Sequence, residues 1–203
     1  MNNNVGRLFS LKVIVIGDHS TGKTSLVNAY LGNAFNPNVY STYYADYFSK
    51  KVVIDGDTYN IKITDTPSGE RYRNILRTYL RFTKIVILVF DMTKKRSFLE
   101  LERLLDFILE VLESKANIVL VGNKSDLFDN FEIKEKEGIE FAKILNAPFY
   151  LASCKTNSNG LMEFLDNYFR KYITEHKDEF ERLQQHIQPL NRNRRRRRNR
   201  NVC

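Results

Sequence analysis

Short apolar runs recur along this chain, and they constrain its fold more than any other feature. They are Leu11–Ile16, Ile85–Phe90, Ile118–Val121 and Pro148–Ala152. Continuous apolar runs of this length are typical of strands that are buried on both faces. Helical patterns lie between them: one runs from Ser97 to Leu112, opened by Ser97-x-x-Glu100 as a capping box, and another from Leu161 to Ile173. This alternation predicts parallel strands joined by right-handed crossovers, with helices on both faces.

One segment departs from the alternation. Tyr47–Ile54 and Thr58–Thr64 flank Asp55-Gly56-Asp57, a turn signal that predicts an antiparallel hairpin. We therefore expect a single α/β domain built on a six-stranded mixed sheet, with one antiparallel strand and about five helices. The predicted boundaries are an N-terminal extension over 1–7, a folded domain over 8–180 and a flexible basic tail over 181–203.

The segment Gly17–Thr24 reads Gly-Asp-His-Ser-Thr-Gly-Lys-Thr and matches G-x-x-x-x-G-K-[ST]. It lies between the first predicted strand and a predicted helix from Thr24 to Leu31, which is the setting a phosphate-binding loop requires. Backbone N–H groups of such a loop surround phosphates, Lys23 reaches the β- and γ-phosphates, and the Thr24 hydroxyl ligates Mg²⁺. The alternative is an ordinary Gly-rich turn. The predicted binding residues are Asp18, His19, Ser20, Thr21, Gly22, Lys23, Thr24 and Ser25.

Two further loops follow predicted strands at the sheet edge where open α/β sheets bind ligands. The first, Asn123-Lys124-Ser125-Asp126, offers a carboxylate that can accept hydrogen bonds from N1 and N2 of guanine, a donor pair that adenine lacks. Alone, N-K-x-D is more typical of a surface loop, but together with the phosphate loop it favours GTP or GDP. The second loop is Ser153-Cys154-Lys155, in which we interpret Cys154 as a small buried residue rather than a reactive thiol.

Taken in order, these motifs resemble the Ras superfamily of small GTPases, and the Rab family most closely, over residues 8–175. Rab-like segments are Glu70–Ile75, Leu88–Thr93 followed by Ser97-Phe98, and Lys155–Asn159. The resemblance implies the G-domain fold of P-loop nucleoside triphosphatases. It also implies roles for individual residues: Phe35 against the guanine ring, Thr42 of switch I on Mg²⁺ and the γ-phosphate, Asp65 as an outer-sphere Mg²⁺ ligand that opens switch II, Lys124 along the base, and Ser153, Cys154 and Lys155 at the base carbonyl.

Taken singly, three of these residues have simpler interpretations. Phe35 could be a core aromatic, Thr42 a residue of a strand edge and Asp65 a turn former. Their joint order favours the functional interpretation.

The family's switch II opening, D-T-A-G-Q-E, reads here Asp65-Thr66-Pro67-Ser68-Gly69-Glu70. Ser68 replaces the glycine whose N–H meets the γ-phosphate, and Gly69 replaces the glutamine that orients the attacking water. We therefore expect slow intrinsic hydrolysis, and the predicted catalytic positions are Lys23, Thr42 and Gly69. We do not expect Glu70 to substitute for the glutamine.

Two other regions depart from the family pattern. His19 and Ser20 stand where the phosphate loop usually has small residues, and His19 could add charge beside the phosphates or simply face solvent. Switch I reads Tyr43-Tyr44-Ala45-Asp46-Tyr47, and Thr64 stands where the family has tryptophan. The known effectors of Rab proteins therefore cannot be assigned to this chain.

The net charge of +8 is concentrated in the tail. Residues 188–203 hold seven arginines and no acid, so residues 1–187 carry only +1. Arg194–Arg198 near an anionic leaflet would contribute about 1 kcal/mol per charge, and the terminal Cys203 resembles the single-cysteine ends of some Rabs, where geranylgeranylation uses an escort protein. One lipid plus a basic patch holds a protein on a membrane. The alternatives are a solvated charge run with a spare thiol, and a nuclear-import or RNA-contact patch, which the lack of interleaved aromatics disfavours.

The sequence therefore predicts a Rab-like, Mg²⁺-dependent GTP/GDP switch that hydrolyses GTP slowly, or with an activating protein, and recruits effectors in vesicle and membrane trafficking. Predicted partners are an exchange factor, a GTPase-activating protein, a GDP-dissociation inhibitor or escort protein, effectors and an anionic membrane; nucleic acid is disfavoured and the chain is expected to be a monomer. With two cysteines and no signal-peptide pattern, we expect a cytoplasmic protein, peripheral on the cytosolic face of an endomembrane or the plasma membrane. The rival functions are a GTP-locked scaffold with negligible hydrolysis and an RNA- or nuclear-associated GTPase that uses the arginine tail.

Overall fold

A six-stranded mixed sheet organises the chain in the computed structural model, which describes residues 7–69, 72–112 and 117–184. In chain order the strands are β1 (Leu8–Ile16), β2 (Asp46–Ile54), β3 (Asp57–Asp65), β4 (Ile85–Asp91), β5 (Asn117–Asn123) and β6 (Phe149–Leu151). Their order across the sheet is β2-β3-β1-β4-β5-β6. The β2–β3 pair is antiparallel and the other four pairs are parallel. The predicted fold class is confirmed.

Helices cover both faces of this sheet. They are α1 (Lys23–Tyr30), α2 (Arg73–Leu80), α3 (Lys95–Val111), α4 (Glu135–Ile144) and α5 (Ser158–Glu175), with a 3-10 helix at Ser125–Asn130 and a further helical segment over 177–184. Val13 and Val15 pack with α1 and α5 on one face, whereas Ile14 and Ile16 pack with α2, α3 and α4 on the other. Burial on both faces explains why β1 has a continuous apolar run rather than an alternating pattern.

The predicted hairpin is confirmed, with a shorter turn. Ile54 pairs with Asp57, so the loop consists of Asp55 and Gly56 alone. Both have positive φ angles, 51° and 82°, which is the backbone of a type I′ turn and matches the twist of the two strands.

Two local predictions were wrong. The run Pro148–Ala152 gives a strand of three half-buried residues, because β6 lies at the edge of the sheet rather than between two strands. The capping box at Ser97 does not form, because α3 begins at Lys95. The Ser97 hydroxyl instead accepts a hydrogen bond from the Asp91 N–H (2.9 Å) and donates one to the Lys94 carbonyl (2.8 Å). It therefore ties α3 to the end of β4.

The helical segment 177–184 packs beside the start of β1. The Phe180 ring lies with its centroid 6.1 Å from that of Phe9 and 5.5 Å from that of Tyr59, and the Gln184 amide donates to the Leu8 carbonyl at 2.7 Å. The boundary predicted at 180 stays a prediction. The predicted extension over 1–7 (apart from Arg7), the arginine run of the tail and Cys203 lie outside the described residues. Within them, no helix is long and apolar enough to cross a membrane.

Replacing Phe180 tests whether segment 177–184 contributes to the folded domain. Phe180 is 5% exposed, so we expect Phe180→Ala to lower the free energy of unfolding by about 3 kcal/mol. The matched variant Leu183→Ala, at a position 51% exposed, should change it by less than about 0.5 kcal/mol. Urea unfolding at one fixed GDP concentration measures both. If Phe180→Ala lowered the free energy of unfolding by no more than about 0.5 kcal/mol, as the control does, the packing of this segment would not stabilise the domain.

Candidate nucleotide-binding site

The loop between β1 and α1 packs against the carboxyl ends of the neighbouring strands. A Cβ added to Gly17 would lie 2.1 Å from the Val89 carbonyl oxygen of β4, and one added to Gly22 would lie 2.3 Å from Asn123 Nδ2 of β5. Gly22 also has a φ of 90°, which favours glycine. The fixed glycines of the motif therefore allow the loop to close over the sheet edge.

Lys23 lies at the floor of this loop and is only 7% exposed. Its Nζ donates to the carbonyl oxygens of Gly17 (3.1 Å) and Asp18 (3.0 Å) and to the Ser68 hydroxyl. Burial lowers the pKa of Lys23 to about 8, because desolvation disfavours the charged ammonium. A bound phosphate would act in the opposite direction and stabilise the charged form.

Three oxygen donors from different segments converge beside Lys23. Asp65, at the end of β3, is fully buried, and its Oδ2 accepts a hydrogen bond from Thr24 Oγ1 at 2.5 Å. The Thr24 and Thr42 hydroxyl oxygens lie 3.1 Å apart. Asp65 Oδ1 is buried with no hydrogen-bond partner among the described residues, and burial raises the pKa of this carboxyl group. An unpartnered buried carboxylate oxygen beside two hydroxyls fits a hard cation such as Mg²⁺.

The Asn123–Asp126 loop is anchored on both sides. Asn123 Nδ2 donates to the Thr21 carbonyl at 2.8 Å, and Asn123 Oδ1 accepts from Cys154 Sγ at 3.4 Å. The Ser153 hydroxyl donates to Asp126 Oδ1 at 2.7 Å. These bonds join the phosphate loop, the end of β5 and the loop after β6, and they fix the position of the Asp126 carboxylate.

Lys124 lines the cleft and has a charged partner that the sequence did not identify. Its backbone has a φ of 67°, and its Nζ lies 2.6 Å from Oδ2 of Asp91, which is fully buried. The available signal was that Asp91 directly ends the apolar run of β4, at the same sheet edge as Asp65.

A cleft of about 670 Å³ runs between these groups, a volume within the range of small-molecule sites. Of the predicted binding residues, those that line it are His19, Ser20, Gly22, Lys23, Thr24, Ser25, Phe35, Thr42, Ser68, Asn123, Lys124, Asp126, Cys154 and Lys155. Asp18, Thr21, Asp65 and Ser153 do not line the cleft but hydrogen-bond to residues that do. Gly69 lies beside His19. Cys154 is 5% exposed, and burial raises its pKa to about 12, so it is a buried, unreactive thiol as predicted.

One wall of the cleft comes from the segment between α1 and β2, which the sequence identified only at Phe35 and Thr42. The additional lining residues are Asn36, Pro37, Val39, Tyr40, Ser41 and Tyr43, together with Leu127 from the 3-10 helix. This segment has no regular secondary structure, so no periodic pattern could have shown which of its side chains face the cleft.

The altered start of switch II contacts the phosphate loop directly. Ser68 is buried, and its hydroxyl occupies one of the three hydrogen bonds of the Lys23 ammonium. Gly69 has a φ of 107°, a conformation that a side chain strongly disfavours. Glu70, the last residue of the motif, lies outside the described residues.

A phosphate loop, two hydroxyls beside a buried carboxylate, and an N-K-x-D loop all lie at the carboxyl edge of a mixed sheet. This arrangement fits a guanine-nucleotide-binding α/β protein. Comparisons with known proteins agree. The sequence model described as Ras family matches residues 12–186. The chain is 38% identical to the Ras-related protein Rab-18-B of Danio rerio over 151 residues, 73% of each chain. It is 32% identical to the Ras-related protein SEC4 of Candida albicans over 149 residues, 73% of this chain and 71% of the relative.

The chain belongs to the Ras family. It is a Rab-like small GTPase, and members of this class hydrolyse GTP and bind GTP or GDP with Mg²⁺.

The Ser68–Lys23 contact predicts an altered preference between GDP and GTP. In Ser68→Ala the hydroxyl no longer competes with a γ-phosphate for Lys23, so the affinity for a non-hydrolysable GTP analogue, relative to GDP, should rise about tenfold, the size of a hydrogen bond to a charged group. Ser68→Gly should do the same, and the exposed Ser49→Ala serves as the matched control. Competition against a fluorescent guanine nucleotide measures the ratio. An unchanged ratio in Ser68→Ala would contradict the prediction.

Proposed function

We propose that this protein is a membrane-attached guanine-nucleotide switch that controls a trafficking step by recruiting effectors in its GTP-bound form. The observation that carries the proposal is the meeting of Thr24, Thr42 and Asp65 beside Lys23. These residues come from the phosphate loop, switch I and switch II, so a ligand at this point interacts with both switches at once. A γ-phosphate that is present or absent there would change the order of the two segments.

Each part of the cleft has a distinct task in this proposal. Lys23 and the loop amides bind the phosphates, while Asp126 accepts the two guanine N–H donors and Lys124 and Phe35 flank the base. Thr24 and Thr42 would hold Mg²⁺, with Asp65 supporting it; the ion, when bound, neutralises charge on the phosphates. Ser153, Cys154 and Lys155 complete the base end of the cleft.

Intrinsic hydrolysis is slow in this proposal, because Gly69 lacks the glutamine side chain that orients the attacking water in the family. Acceleration then depends on a GTPase-activating protein that contributes groups in trans, which for an arginine alone is worth about 10³ to 10⁵ in rate. Persistent GTP occupancy with negligible stimulated hydrolysis would instead describe a GTP-locked scaffold.

Effectors would bind at the aromatic surface of switch I. Tyr40, Tyr43, Tyr44 and Tyr47 are 92%, 62%, 84% and 71% exposed, and exposed tyrosines are common anchors at protein interfaces. An exchange factor and a GDP-dissociation inhibitor or escort protein complete the set of partners expected for a Rab-like switch. Attachment to the cytosolic face of a membrane would come from the arginine run and a lipid on Cys203.

Guanine recognition by Asp126 can be tested by truncation. Asp126→Ala should weaken GDP binding about 100-fold, since two hydrogen bonds to a charged acceptor are lost. Asp129→Ala is the matched control, because Asp129 is exposed on the same 3-10 helix and does not line the cleft. Calorimetric titration with GDP, GTP and ATP measures each affinity. Unchanged GDP binding in Asp126→Ala, or equal binding of ATP and GTP by the unaltered chain, would contradict the role.

Membrane attachment can be tested on the full chain in eukaryotic cells. We expect the unaltered protein to sediment with membranes and to carry a lipid mass on its C-terminal peptide, and Cys203→Ser to move into the soluble fraction, because a basic patch alone binds weakly. Asn201→Ser is the matched control in the tail. An unmodified thiol at Cys203 would contradict the anchor, as would recovery of the protein with RNA in a salt-sensitive complex.

A further inference from the structure

Two departures from the family pattern that lie fifty positions apart in the chain are in contact in the structure. His19 stands at a position of the phosphate loop that is usually small, and Gly69 stands where switch II usually has glutamine. A Cβ built on Gly69 would lie 2.9 Å from His19 Nε2 and 3.6 Å from Cε1. The first distance is shorter than Cβ atoms tolerate, so the imidazole occupies the space in which a residue-69 side chain would begin.

A hydrogen bond holds the backbone of each of these two residues in place. The His19 N–H donates to the Asp18 carboxylate at 2.7 Å, and the Gly69 carbonyl accepts from the Tyr72 N–H at 3.0 Å. The residue before Gly69 contacts Lys23 through its hydroxyl. His19 therefore lies at the phosphate end of the cleft, of which it forms part of the lining.

We propose that His19 is the side chain that orients the attacking water in this protein, in place of the glutamine that Gly69 replaces. Each imidazole nitrogen can donate or accept a hydrogen bond according to its protonation and tautomer, so the ring can hold a water molecule as an amide side chain does. His19 is exposed, so its imidazole can move. A side chain at position 69 would displace the imidazole from the phosphate end of the cleft, whereas Gly69 leaves room for it there.

The reaction itself is that of the family. The water oxygen forms a bond to the γ-phosphorus, the bond from that phosphorus to the β–γ bridging oxygen breaks with its electron pair going to GDP, and the water proton passes to the phosphate product. His19 positions the water and gains or loses no proton overall. The inference rests on the proposed GTP cycle, so nucleotide binding is measured alongside it.

The first test is a double-mutant cycle at positions 19 and 69, read as single-turnover hydrolysis in GTP-loaded protein. We expect His19→Ala to slow hydrolysis about tenfold and His19→Gln to retain part of the rate. Gly69→Gln alone should give no gain, because a side chain is strained at a φ of 107° and its Cβ would displace the imidazole. The double variant His19→Ala, Gly69→Gln should exceed both single variants. An unchanged rate in His19→Ala, or additive effects of the two substitutions, would overturn the proposal.

The second test does not depend on turnover. In protein labelled with ¹⁵N-histidine, the His19 imidazole signals should shift when GDP is replaced by GDP with aluminium fluoride, whereas those of His176, stacked on Tyr172, should not. Signal assignment uses His19→Ala and His176→Gln. Titration with GDP separates the two possible failures: loss of GDP binding in the unaltered protein would defeat the proposed function, whereas intact binding with unmoved His19 signals would defeat this inference alone.

Discussion

A buried ammonium group determines how the site is assembled. Enclosing the Lys23 charge costs several kcal/mol unless it is compensated, and the compensation comes from two loop carbonyls and the Ser68 hydroxyl. That arrangement requires the loop to curl tightly, which in turn requires Gly17 and Gly22 to approach β4 and β5 without a Cβ. An anionic ligand satisfies the same charge and can displace the Ser68 contact. Switch II is therefore coupled to the occupancy of the phosphate site by the electrostatics of one residue.

The fold could be predicted from the sequence wherever burial decided the outcome. Val13–Ile16 and Ile85–Phe90 are apolar because both faces of the sheet are covered, and that pattern is visible without a structure. The two predictions that were wrong failed because the tertiary structure, rather than the local sequence pattern, decided the outcome. Ser97 bonds to the end of β4 rather than capping its own helix, and β6 lies at an edge that its composition did not reveal.

The motif residues of the site could be predicted because their spacing has a chemical reason, whereas the irregular wall between α1 and β2 could not. The same limit explains the interpretation of His19. His19 alone could also be interpreted as a residue that faces solvent, and Gly69 alone indicated only that the glutamine side chain is missing. Their contact depends on the path of switch II over the phosphate loop, which no local pattern encodes. Once they are in contact, the two departures describe one rearranged feature rather than two defects, while Ser68 adds a third change at the same junction.

We infer that this chain is a guanine-nucleotide switch that turns GTP over slowly, because the glutamine of switch II is missing and His19 replaces it only in part. The most direct measurement is a time course of the nucleotide bound to purified, GTP-loaded protein, alone and with a cell extract that contains activating proteins. We expect GTP to persist in the protein alone and to convert to GDP when the extract is added. Conversion in the protein alone as fast as in a glutamine-containing relative assayed beside it would show that the loss of the glutamine at position 69 does not slow hydrolysis.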